Sequence, residues 1–126
     1  MSEEKKHSPG FVALVEDAKT RIRQVDVAAY PQFARDNPGH LLIDVREESE
    51  WTAGRAAGSL HLSKGIIERD IEEKVPNKDA LMVLYCGGGY RSALAADSLR
   101  RMGYTSVLSL AGGWRAWQAA NMPQEK

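Results

Sequence analysis

The chain holds one cysteine, Cys86, and the residues after it are Gly87, Gly88, Gly89, Tyr90, Arg91 and Ser92. A lone thiol most often behaves as a small buried hydrophobe. The neighbours of this one argue for chemistry instead. Three consecutive glycines reach backbone angles closed to other residues, so the chain can curl and turn successive N–H groups toward one point, a nest that attracts anions. A helix starting near Arg91 would add its unpaired N–H groups and the positive end of its dipole, and the guanidinium adds a full charge with a forked donor set. Ordinary thiols ionise near pH ~8.5, whereas those at helix amino termini or beside cations do so at roughly 3.5 to 7.5, and the thiolate is the nucleophile. The same donors can hold a bound oxyanion. Nucleophilic catalysis in an anion cradle is therefore the chemistry expected at Cys86. A sulfur already ionised needs no general base, and none of the histidines is placed to act as one.

Other chemistries lack their residues. His7, His40 and His61 are scattered, with no C-x-x-C or H-E-x-x-H spacing, so no metal is expected. The GGGY segment lacks the lysine and spacing of a phosphate loop, which excludes nucleotide binding, and no cofactor is called for. Seventeen basic residues balance seventeen acidic ones, giving no reason to expect nucleic acid or an anionic membrane as a partner. The opening MSEEKKHSPG is polar, and no run approaches the roughly 20 apolar residues of a membrane span. A single thiol suits a reducing compartment, so a cytoplasmic location is expected.

The elements that must position Cys86 follow from periodicity. A length of 126 residues suits one domain, read as 9–120, with a disordered tail over 1–8 and a carboxyl-terminal tail over 121–126. Phe11, Leu14, Val15, Ala18 and Ile22 share a helical face after Pro9. Gln24-Val25 reads as a short strand, and Asp26 as the cap of a helix running to about Asn37. LLIDV (41–45) and ALMVLY (80–85) are continuous apolar runs of the kind buried on both faces of a parallel sheet. REESEWTA (46–53) predicts a short polar helix, SLHLS (59–63) a flanking strand, and Ile66 to Lys74 a helix. Leu94, Ala95, Ser98, Leu99 and Met102 form the stripe of a helix from Arg91 or Ser92, with Gly103 ending it. SVLSL (106–110) is the last strand, and a terminal helix surrounds Trp114, Trp117 and Ala120. Alternating strands and short-linked helices predict an open α/β sheet, mostly parallel and covered on both faces, with ligands beyond the carboxyl ends of its strands. Cys86 stands at such an end.

The segment Cys86-Gly87-Gly88-Gly89-Tyr90-Arg91-Ser92 resembles the active loop of rhodanese-family sulfurtransferases, with arginine as its sixth residue. LLIDVRE (41–47) is similar to that family's strand ending in Asp-x-Arg, Gly54 with Gly58-Ser59 to its Gly-His-Ile-x-Gly-Ala segment, and LAGGWRAW (110–117) to its closing motif. Arg55, Ser59 and Ser63 depart from the usual histidine, alanine and proline, which bears on the pocket rim and substrate choice. The resemblance, which covers about residues 23–118, implies a rhodanese-like sheet of five parallel strands flanked by helices. It also implies that Cys86 accepts a sulfane sulfur as a persulfide and passes it on, with thiosulfate and cyanide the usual laboratory donor and acceptor. Its implied partners are small sulfur-containing anions and a thiol or protein acceptor.

Roles can be assigned within that scheme. Gly87 to Ser92 would stabilise charge through their N–H groups, while Arg91 would either contact substrate or brace the loop as an ion pair. Ser92 could cap the following helix, and Tyr90 could line the mouth. Asp44 and Arg46 are expected to brace the site, Glu68 resembles a family position near it, and the tryptophans are read as packing. Two other functions share these residues. One is a cysteine phosphatase or arsenate reductase, whose loops place five residues between cysteine and arginine where this chain has four. The other is a sulfur-relay or recognition module with a protein partner.

Overall fold

A computed structural model describes residues 7–126, so the first six residues of the expected disordered tail lie outside it. Five strands form one parallel sheet: β1 (Arg23–Asp26), β2 (Leu41–Asp44), β4 (Leu60–His61), β5 (Met82–Tyr85) and β6 (Val107–Ala111), in the spatial order β1-β6-β5-β2-β4. A separate two-stranded ribbon pairs β3 (Arg55–Ala56) antiparallel with β7 (Gln124–Glu125). The helices are α1 (Pro9–Lys19), α2 (Tyr30–Asp36), α3 (Glu48–Ala53), α4 (Ile67–Lys74), α5 (Tyr90–Arg101) and α6 (Gly113–Ala119).

Period-two alternation along β5 decides where the cysteine goes. Met82 and Leu84 face a core layer built with Ile67 and Ile71 of α4 and Ala95 and Leu99 of α5, whereas Val83 and Tyr85 face the opposite layer with Leu110 and Trp117. All four strand residues are buried, each stabilising the fold by roughly 1.5 to 3 kcal/mol if fully removed from water. Cys86 continues the Met82 and Leu84 face, so its side chain enters the layer covered by α5 rather than the one covered by α6. Helix α1 packs outside α5, and this brings the first described residues toward the carboxyl edge of β5.

The polar runs resolve into shorter elements than their periodicity suggests. Asp26 Oδ1 accepts the Ala29 N–H at 2.8 Å, but α2 begins only at Tyr30, because Pro31 lacks an N–H and fits only the first turn. The flanking strand contracts to Leu60–His61, an edge paired only with β2. Residues 124–125 are held by pairing with β3, and the Gly58 N–H donates to Glu125 Oε2 at 2.8 Å. No helix among the described residues is long and apolar enough to cross a membrane.

Candidate active site

The loop from Cys86 to Gly89 leaves β5 and enters α5 directly. Gly89, at φ 97°, is the residue before the helix, a left-handed conformation that glycine adopts without strain. The turn folds the chain back over its own sulfur. The Gly89 N–H donates to Cys86 Sγ at 3.1 Å and the Ser92 N–H at 3.4 Å, while Ser92 Oγ lies 3.6 Å from the same atom. Ser92 Oγ in turn is 2.7 Å from Ser109 Oγ, both residues being fully buried. Ser92 is therefore not the cap expected from sequence. It is the third residue of α5, its hydroxyl is spent on the sulfur, and the capping position belongs to Gly89.

The carbonyls of the loop are engaged from the other side. The Trp114 N–H donates to Cys86 O at 2.7 Å and the Arg115 N–H to Gly87 O at 3.1 Å, so the start of α6 ties down these two acceptors while the Gly89 and Ser92 N–H groups serve the sulfur. Gly113 permits that approach. It has φ 54°, and a Cβ there would run into Cys86 O and Gly87 O.

Cys86 is 1 % exposed and forms the floor of a cavity of about 480 Å³ walled by His7, Phe11, Glu50, Gly87, Gly88, Tyr90, Arg91 and Arg115. The sulfur is thus more enclosed than a rim position would make it, and reagents reach it through that cavity. Tyr90 lines the mouth, its ring 4.3 Å from that of His7 and 5.8 Å from that of Phe11. Arg91 takes the bracing alternative: Nη1 and Nη2 bond the two oxygens of Glu50 at 2.9 and 3.2 Å. That pair holds the Glu50 carboxyl below the ordinary carboxylate range and the Arg91 guanidinium above its own, in each case chiefly through the shared hydrogen bonds. Glu50 is itself fixed by the first turn of α3, where its side chain accepts the Glu47 N–H at 2.9 Å.

Asp44 and Arg46 form a buried pair beside the site. Arg46 Nη2 is 2.7 Å from Asp44 Oδ2 and 2.6 Å from Gly54 O, with the guanidinium 4.8 Å from the Trp114 ring centre. Arg46 faces a second cavity of about 640 Å³ with Glu50, Gly54 and Trp114, and Asp44 lines neither cavity. Glu68 is not brought to the site: it sits exposed in the first turn of α4 and lines neither the cavity over Cys86 nor the one beside Arg46. The departing residues Arg55, Ser59 and Ser63 do not line the cavity over Cys86. Arg55 lies 4.5 Å over the Trp51 ring and 3.8 Å from Glu125, and Ser59 Oγ donates to Ala56 O at 2.7 Å. Tyr85, under this ribbon, takes the Ala56 N–H at 3.0 Å, and burial pushes its hydroxyl up to about 12.

Sequence reading missed Glu50, Ser109, Arg115, His7 and Phe11. Only Arg115 carried a signal, its place directly after the Gly112-Gly113 turn at the same sheet edge as Cys86. Among the described residues no group of three or more His, Cys, Asp or Glu side chains gathers as a metal site would.

The Rhodanese family, described as a rhodanese-like domain, matches residues 27–120. A sulfurtransferase of Allochromatium vinosum is 33 % identical over 102 residues, spanning 81 % of this chain and 94 % of that one. The polysulfide-sulfur transferase homodimer of Wolinella succinogenes superposes with a TM-score of 0.77 at 26 % identity, covering 92 % of this chain and 87 % of that one. A Rhodopseudomonas palustris protein of unknown function, described as a possible tyrosine phosphatase, gives a TM-score of 0.81 at 28 % identity, covering 98 % and 100 %.

Proposed function

This chain belongs to the rhodanese-like domain family, among whose members are sulfurtransferases, and we propose that it carries sulfane sulfur as a persulfide on Cys86. The supporting observation is the pair of main-chain N–H groups, from Gly89 and Ser92, that both donate to Sγ at the floor of an open cavity. Donors fixed by the fold favour an anionic sulfur and cost no reorganisation when charge moves.

With thiosulfate as donor, Cys86 thiolate attacks the outer sulfur. A sulfur–sulfur bond forms to Cys86, the sulfur–sulfur bond of thiosulfate breaks, and sulfite leaves with the electron pair. Cyanide or a thiolate then attacks the outer sulfur of the persulfide and departs as thiocyanate or a new persulfide, returning Cys86 as thiolate. The cycle is ping-pong and needs no proton transfer to the nucleophile.

A phosphatase role is disfavoured by the same geometry. Four residues separate Cys86 from Arg91, and both terminal nitrogens of Arg91 are bound to Glu50 rather than free to grip a phosphate as a fork. The test is a side-by-side assay with thiosulfate plus cyanide and with an aryl phosphate. Thiocyanate release abolished in Cys86→Ser is the expected result, and aryl phosphate turnover abolished by that substitution, with no thiocyanate formed by the parent protein, would overturn the reading. Persulfide that forms but is discharged only by a protein acceptor would assign the chain to relay.

A further inference from the structure

We propose that Arg115, on α6, is the residue that selects the oxyanion end of the sulfur donor, a role that rests on the persulfide reading above. The loop arginine is already neutralised: Arg91 and Glu50 form a two-point ion pair, and Glu50 is the only carboxylate on the cavity wall among the described residues. Apart from Cys86, the remaining ionisable groups on that wall among the described residues are His7, Tyr90 and Arg115. Arg115 makes no ion pair among the described residues and is exposed, so its charge is available to an incoming ligand.

Its position is dictated by the loop. The Arg115 N–H is bonded to Gly87 O, and its guanidinium lies against Gly88, where a Cβ would collide with Nη2. A Cβ on Gly87 would meet both Arg91 Nη2, at 3.2 Å, and Arg115 Nη1, at 3.7 Å. Two cations therefore stand beside the turn that holds the sulfur, one compensated and one not. A donor bearing a terminal sulfonate, as thiosulfate and organic thiosulfonates do, can place its sulfane sulfur over Cys86 and its oxygens toward Arg115. An uncharged donor gains nothing there. The rings of His7, Phe11 and Tyr90 pack on one another at the same cavity.

The test reads charge selection without any sulfur transfer. Iodoacetate and iodoacetamide alkylate thiolates in the same way, by forming a sulfur–carbon bond and expelling iodide, and differ mainly in charge. The ratio of their rate constants on Cys86 is measured at low salt in the parent protein, Arg115→Gln and Arg115→Lys, and the iodoacetamide rate checks that the loop is intact. We expect the ratio to fall about fivefold in Arg115→Gln, to be largely kept in Arg115→Lys, and to converge among the three at ~1 M salt. A ratio unchanged in Arg115→Gln, or equally lowered in Arg115→Lys, overturns the proposal. Thiosulfate that fails to sulfurate the parent protein while the ratio still depends on residue 115 refutes the transferase reading instead.

Discussion

Replacing Asp44 by alanine separates bracing from catalysis. The Asp44 carboxylate is fully buried, Arg46 is 3 % exposed, and the pair is joined by contacts from 2.7 to 3.1 Å, with the Arg46 N–H also donating to Asp44 Oδ1 at 2.8 Å. Removing one partner of such a pair costs about 3 to 5 kcal/mol, because the other charge stays buried without compensation. Arg46 faces the larger cavity and can reach water there, so the lower end, ~3 kcal/mol, applies. For 126 residues at about 2.1 cal/mol/K each, one kcal/mol corresponds to roughly 4 °C, and Tm should fall by about 12 °C. Thermal unfolding followed by circular dichroism measures this. Iodoacetamide alkylation of Cys86, well below the transition, should stay within about twofold of the parent rate, because Asp44 lines neither cavity and a buried structural pair acts on stability. A Tm lowered by less than about 3 °C would refute the burial argument. A folded variant whose thiol had lost its reactivity would refute the bracing role.

Two further outcomes follow from the loop. Gly113→Ala places a Cβ against Cys86 O and Gly87 O at a left-handed position, so it should lower stability by about 2 kcal/mol and slow alkylation as the N–H groups lose their inward aim; unchanged alkylation in the folded variant would mean that α6 does not shape the loop. The folded Glu50 carboxyl is held below its ordinary value, chiefly by Arg91, so the pair's contribution is full above the unfolded carboxylate value and disappears as pH falls through the folded one. The half-exposed pair is worth only about 0.5 kcal/mol, so the Tm gap between parent and Glu50→Gln should be ~2 °C near pH 7 and shrink as the pH falls below the ordinary carboxylate range. A gap that widens in acid would reverse the sign assigned to the pair.

How much of this was legible in the sequence depended on what signal each element leaves. β2 and β5 were readable because strands buried on both faces demand unbroken apolar runs, and LLID and MVLY supply them. The end of β5 then placed Cys86, and the glycines and Arg91 after it announced an anion cradle. The ribbon of Arg55–Ala56 with Gln124–Glu125 left no pattern, since two-residue strands give no alternation. The Glu50–Arg91 pair spans 41 residues, and charge alone could not choose Glu50 over its neighbours Glu47 and Glu48. Nor could the sequence show that the Ser92 hydroxyl meets Ser109, a contact made by packing α5 on β6. Glu68 followed from resemblance alone, and the structure leaves it on the exposed side of α4.

Sulfur carriage by Cys86 is directly observable. Intact mass spectrometry of the protein after incubation with thiosulfate should reveal an added mass of one sulfur atom, absent in Cys86→Ser and removed by cyanide. A protein that is folded and alkylated at Cys86 by iodoacetamide, yet gains no sulfur from thiosulfate or polysulfide, would contradict it.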